Sequence, residues 1–518
     1  MYLPQIQLGV QLLGDALISS VEVVQELNHH WRCSIVCRQT ADQRIAVEDI
    51  LGKPLDVTST DGTGATHSHF SGFIYDVQLE YEVWGSYAAT LNAISSSYLM
   101  DLTALEQYYS EQTLSSIAST MAGRSGLSVD VNAPGGKALN YVQYGETDFS
   151  FLNRIVDDYR AWMRPKKDGL EIFAGFQSGA SITWREGNGL ISFRLQGTMA
   201  SPSFNGSHYD HHAMISNSFE KVSKPPQFYD GAQRLTGAVQ SASQQLPPGF
   251  EPQRARAFTL DDYQTQLQDE SERSIGAAVT ATGQSRNQDL KAGNTLAVQG
   301  VSGAEGTFGL IKVVHQWTPG GYSNTFVGTP WMNYRNSAPP PARVWSGIVP
   351  ARVVDHNDPK KMGRIKIQFF WQLDGSTHWA RATSPHAGPG RGFMFMPEVG
   401  DEVAVAFEDG DPERPVIIGS LWNGVQTADR SGYYGGDISN NDVKNIMTKS
   451  GNRIQIADLE GSEAITIATP NHASFTISEN HSSTGRPLIN LNSSGDIFLN
   501  APDGRIHLRA KLFSREIG

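Results

Sequence analysis

Near its C-terminus this chain places apolar residues in short alternating pairs: Ile454 and Ile456, Ile465 and Ile467, Phe475 and Ile477, Ile489 and Leu491, Ile497 and Leu499, Ile506 and Leu508. Alternation over so few residues describes thin strands, each offering two side chains to one face. Nothing in the same segment supplies a second layer to cover that face. Each side chain would gain about 1.5–3 kcal/mol on full burial, and one chain alone cannot realise it. A single-chain β-solenoid needs longer coils that close on their own core. The pattern therefore predicts that the strands pack against copies of themselves. Three chains winding together would give a closed prism with a dry interior and no free edges.

The rest of the chain is too long for one core. At 518 residues, two to four domains are expected. With 51 Gly, 25 Pro and 39% hydrophobic residues it reads as turn-rich and mainly β. The 53 acidic against 41 basic residues give a net charge of −12, which argues against a general phosphate-binding surface and a nucleic-acid partner. The N-terminus has no basic region followed by an apolar run and a small-residue cleavage site, and no stretch is apolar for long enough to span a bilayer. A protein made and folded in the cytoplasm without a signal peptide is expected, leaving the cell by another route. Cys33 and Cys37 sit four apart on a predicted strand, about 13 Å apart at a rise near 3.3 Å per residue. A disulfide needs Cα atoms within about 7 Å, so buried free thiols are expected.

Along the chain, residues 1 to 90 alternate in short runs, as in "FSGFIYDVQLEYEVW". Helical spacing is read over 104–122 and over 147–163, with Thr147 or Asp148 as cap, and again near 259–281. Strands are expected at 307–317 and 324–328. Three prolines at 339–341 stiffen a linker. The expected organisation is 1–337, a linker at 338–342, a compact β unit at 343–423, a Gly-rich connector at 424–443, and the thin strands at 444–518.

Residues 363–371, "GRIKIQFFW", and 378–423, "HWARATSPHAGPGRGFMFMPEVGDEVAVAFEDGDPERPVIIGSLWN", closely resemble the OB-fold module of the VgrG spike family of type VI secretion. They are similar also to the hub-spike proteins of contractile phages and extracellular injection particles. "YVQYGETDFSFLNRIVDDY" at 141–159 looks like a segment of that family's baseplate-hub domain, and "TKSGNRIQIAD" at 448–458 like its first β-helix strand. The resemblance implies hub β-barrels with inserted helices, an OB-fold barrel, and a C-terminal intertwined trimeric β-helix forming a needle. It implies a homotrimer whose hubs, two barrels each, meet a hexameric inner tube and baseplate proteins. On sheath contraction the needle would puncture a target membrane. A small PAAR-type tip protein at the C-terminus, and effectors, are the further partners it implies. Leu512, Phe513 and Ile517 would form the apolar platform for that tip.

Enzymatic chemistry is not expected. A glycosidase needs two carboxyl groups across a cleft, and the short connector after Asn423 leaves no room for such a domain. The sequence given stops at Gly518, so no effector domain is expected beyond the strands. His67 with His69, and His208, Asp210, His211 and His212, offer metal-type ligands without a third or fourth at a regular spacing, so surface or loop histidines are expected and no metal or cofactor. His507 lacks the paired histidines of iron-binding phage needles. "GDPERP" at 410–415 reads as a turn between strands. A trimeric tail spike that binds or cleaves polysaccharide is the rival reading. It would need long coils with a carboxylate-lined groove.

Overall fold

The computed structural model describes residues 5–8, 11–12, 17–40, 50–60, 64–81, 86–133, 138–184, 189–210, 213–230, 232–252, 260–333, 345, 347–372, 375–427, 442–471, 473–479 and 485–511. The chain divides into two compact units, Met1–Leu421 and Trp422–Gly518. The 338–342 linker falls outside the described residues, as does most of the connector.

The first unit is built on one sheet of thirteen strands. An N-terminal half runs Leu17–Glu26, Arg32–Thr40, Ser86–Ile94, Thr66–Tyr81, Pro54–Thr60 in spatial order, and a C-terminal half contains Gly306–Thr318, Gly321–Thr329, Val279–Ser285 and Leu190–Gly197. The halves join where Lys312–Trp317 pairs antiparallel with Val21–Glu26. Each half has its own core. Val21, Ile35, Val57, Phe70 and Leu91 lie in one, and Leu296, Phe308, Leu310 and Phe326 in the other. Period-two alternation buries Cys33, Ile35 and Cys37 on one face of Arg32–Thr40, so both thiols are free and buried.

Between the halves lies an insert with its own core, made by helices Leu114–Arg124 and Asp148–Asp158 against strands Ser128–Asn132, Trp162–Lys166 and Gly169–Phe173. Thr147 caps the second helix, its Oγ1 accepting from Ser150 N at 3.1 Å. The helix read over 104–122 is only half present. Ala104–Gln112 is a strand, pairing antiparallel with Leu139–Thr147, and the helix starts after its Thr113 cap. Leu105, Tyr108 and Tyr109 mimic helical spacing, but a partner strand satisfies this backbone instead. A further helical pair, Gln233–Ser243 and Leu260–Gly276, lies in sequence between the strands Leu190–Gly197 and Val279–Ser285.

Residues 349–421 form a closed five-stranded barrel: Val349–Asp355, Ile365–Phe369, His378–Ala382, Pro415–Leu421 and Glu402–Phe407. Its core holds Val349, Ala351, Val353, Ile365, Ile367, Phe369, Val403, Val405 and Ile417. "GDPERP" is the turn into the last strand: Gly410 takes φ +74°, and Glu408 binds both Arg381 and Arg414 at 2.7 Å.

The second unit is a five-stranded antiparallel meander of Val443–Met447, Arg453–Ala457, Ala464–Ala468, Ser474–Ser478 and Leu488–Asn492. Strands were also expected at Ile497–Leu499 and Ile506–Leu508. There the single chain forms none, because no described residue after Asn492 offers those residues a ladder partner.

Candidate functional site

The meander's register aligns its apolar residues into columns. Ile446 lies opposite Ile454, then Ile467, Phe475 and Leu491 follow in turn. Ile456, Ile465, Ile477 and Ile489 make the second column. Ile446 was not among the predicted residues, although the alternation of "VKNIM" carries the signal. The opposite face carries the column Gln455, Thr466 and Thr476, of which Gln455 and Thr466 are buried. In the single chain the apolar columns are open. Of the twelve predicted residues only Phe475 is half-buried; the other eleven, including Ile497, Leu499, Ile506 and Leu508, are 41–69% exposed. Covering such a face would contribute on the order of 1 kcal/mol per side chain. Leu512, Phe513 and Ile517 lie outside the described residues.

A second arrangement joins the helical insert to the closed barrel, and the segment 141–148 builds it. Gly145 takes φ +56° at a bulge between Tyr144 and Glu146, which breaks the ladder and re-aims Tyr144. The Tyr144 ring meets Trp345 edge-on, centroids 3.8 Å apart, and Trp371 at 5.5 Å. Tyr108, on the partner strand, packs on His378 at 3.9 Å, and Val142 N donates to Glu413 Oε1 at 3.4 Å. The neighbouring residues brace this surface from behind. Glu146 holds Arg154 through two bonds of 2.9–3.0 Å, and Asp148 takes Arg124 at 2.7 Å and Gln143 at 2.9 Å. This joint is not legible in the sequence, because its partners lie more than two hundred residues apart.

The histidines are placed differently from expectation. His69 and His208 are buried on strands, not displayed on a surface or loop. Burial excludes solvent because both strands pack their alternate residues inward. His67 pairs with Asp289 at 2.8 Å, Asp210 sits at the end of the His208 strand, and His211 and His212 lie outside the described residues. Among the described residues no three His, Cys, Asp or Glu side chains converge to hold a metal. One hydrolase-like chain occurs: Ser97 Oγ meets His30 Nδ1 at 2.8 Å, and His30 Nε2 meets Asp101 Oδ2 at 3.2 Å. Ser97 is fully buried and hydrogen-bonds Ser95 Oγ, so its hydroxyl cannot reach a substrate. The His30 bond is the main cause holding the Asp101 carboxyl below its ordinary range. This cluster is a structural brace beneath the insert, with His30 stacked on Phe149 at 3.8 Å.

Residues 25–321 match the family profile of the phage tail baseplate hub (GPD), and that match spans more than half the chain. The chain belongs to the phage tail baseplate hub family. Residues 349–422 match the type VI secretion system/phage-baseplate injector OB domain, which is the closed barrel and its exit. Among curated relatives of this hub protein, the type VI secretion system spike protein VgrG5 of Pseudomonas aeruginosa is 31% identical over 164 residues, 28% of this chain and 20% of that one. VgrG3 of Vibrio cholerae is 34% identical over 111 residues, 20% of this chain and 11% of that one. The matched stretches thus span about a fifth or less of these relatives' length. Among solved structures, the E. coli c3393 protein, titled a type VI secretion component with structural similarity to T4 bacteriophage tail proteins gp27 and gp5, aligns over 80% of this chain and 100% of its own at TM-score 0.53 and 18% identity. A Francisella PdpA-VgrG complex aligns over 95% of this chain and 80% of its own at TM-score 0.62 and 10% identity. Both likenesses concern the fold.

Proposed function

We propose that three copies of this hub protein form the central spike of a contractile injection system, as a structural and non-enzymatic component. The observation that carries this reading is the open apolar face of the meander: two columns of large side chains exposed in one chain, with no second layer over them among the described residues of their own unit. A threefold prism covers that face with its own copies. It also supplies strand partners to residues 493–511, which pair with no strand among the described residues. In the assembled particle the hub region docks on the hexameric inner tube beside baseplate proteins. The segment 444–518 is the needle driven through a target membrane on sheath contraction. Its end, with Leu512, Phe513 and Ile517, is the seat for a small PAAR-type tip protein, and effectors travel with the spike out of the cell. Sheath-driven delivery needs neither a signal peptide nor a bound cofactor.

Replacing Ile465 and Ile467 together by Asp tests this. Three copies would bring six carboxylates into a dry interior, at a cost of several kcal/mol each by order of magnitude, about 2–7 for an unpartnered polar group. Sedimentation of the variant should show dissociated or loosened trimers with the first unit still folded. An equally stable trimer would refute the placement of these residues at the axis.

A further inference from the structure

His69 and His315 come from opposite halves of the thirteen-stranded sheet, on Thr66–Tyr81 and Gly306–Thr318, and meet with ring centroids 4.5 Å apart. Both are excluded from solvent. Trp317 closes over the pair at 4.9 Å from His69 and 5.7 Å from His315. Each imidazole is tied to a different segment. Ser59, on Pro54–Thr60, donates its proton to Gln288 Oε1, so the 2.6 Å contact with His69 Nε2 is one in which the ring donates. His315 Nδ1 meets Tyr322 Oη at 2.8 Å, while its Nε2 is buried with no hydrogen-bond partner among the described residues. The loop 287–292 is fastened from all sides. Asn287 O accepts from Asn324 at 2.7 Å, Asp289 takes His67, and Ala292 N donates to Gln25 Oε1 at 3.2 Å. Gln25 Nε2 in turn donates to His69 O at 2.8 Å.

We propose that the His69–His315 pair is an acid-sensitive latch across the two halves of the hub, closed while both rings are neutral and opened by protonation of either. A proton on either ring would place a cation in a desolvated site beside a second imidazole. The charged groups that face it do not offset this. Lys291 and His67 raise the cost of a further positive charge, Arg164 adds to the field on Lys291, and Asp289 is engaged with His67 and more than half exposed. Tyr322 is itself held neutral by burial. Desolvation is the leading cause that pulls His69 from its ordinary 6.5 down to about 3, with His67 and Lys291 adding to it, and desolvation pulls His315 down as well, with the charge of His69 adding to the effect.

The direction of the response follows from that depression. The opened state binds the proton more tightly than the closed one. The latch is therefore fully effective above about pH 6.5 and weakens as pH falls toward about 3. For one imidazole, the opening equilibrium rises about hundredfold between pH 7 and pH 4.5.

Hydrogen exchange on the full chain, corrected for the intrinsic pH dependence of exchange, reads this directly. Protection should fall by about that factor in Pro54–Thr60, 287–292 and the 313–324 hairpin, while the closed-barrel strand Ile365–Phe369 keeps its protection. In a His69→Gln/His315→Gln variant the pH response of those segments should vanish. Proton titration of the imidazole resonances in the unmodified chain supplies a readout that does not depend on the variant's folding. A uniform loss of protection across hub and barrel, a response that survives in the variant, or either buried ring titrating near its ordinary value would overturn the latch.

Discussion

Tyr144→Ala should uncouple the closed barrel from the helical insert without unfolding either. Two aromatic contacts are lost, to Trp345 at 3.8 Å and to Trp371 at 5.5 Å, each worth about 0.5–1.5 kcal/mol beyond area. The half-buried ring adds about 1–2 kcal/mol of lost apolar burial. The joint should weaken by about 3 kcal/mol in all, with Tyr108 on His378 and the Val142–Glu413 bond among the contacts that remain. The barrel keeps its own core of Ile365, Ile367, Phe369, Val403 and Val405, so it should survive as a folded body. Calorimetry reads the outcome: insert and barrel melt together in the unmodified chain, and the barrel separates as its own transition in the variant. A double-mutant cycle with Trp371→Ala should give a coupling of about 1 kcal/mol. Unchanged melting, or strict additivity in the cycle, would show that Tyr144 merely lies beside the tryptophans.

Two further outcomes follow from the first unit. Thr147→Ala removes the cap of Asp148–Asp158 and should cost about 1 kcal/mol by denaturant titration, with Thr147→Ser near neutral; equal losses in both would place the effect in packing instead. Burial pushes the Cys37 thiol up to about 11 and Cys33 higher still, so neither should react with a thiol reagent at pH 8 until denaturant is added. Fast labelling of the native protein would contradict their placement in the core.

Much of this fold can be read locally. Thr147 announces its helix because an Oγ three residues ahead of a free backbone N–H is a local arrangement, and the alternation around Cys33 and Cys37 declares a strand with one buried face. The 104–112 stretch shows where local reading fails. Its tyrosines and leucine fit helical spacing, yet the strand Leu139–Thr147 pairs with it and decides the matter from nearly thirty residues away. The joint was hidden for the same reason. "VQYGETDF" stands out as a resemblance, but what its parts do becomes clear only when Trp345 and Trp371 arrive from the barrel. The histidines of "THSHF" were visible as a pair on one face. His69's neighbour, His315, lies far along the chain, so its burial is not legible from the local sequence. The thin C-terminal strands are the reverse case: their alternation is explicit in sequence, and among the described residues their apolar columns stand exposed.

In the proposed spike, two further copies of the same chain cover the open face of the meander. The most direct measurement is the molar mass of the full-length protein in solution, by sedimentation equilibrium over a wide concentration range. A single species of three times the 56.6 kDa chain, persisting on dilution, is the expected result. A species of one chain mass at all concentrations, with the isoleucine columns still exposed, would contradict it.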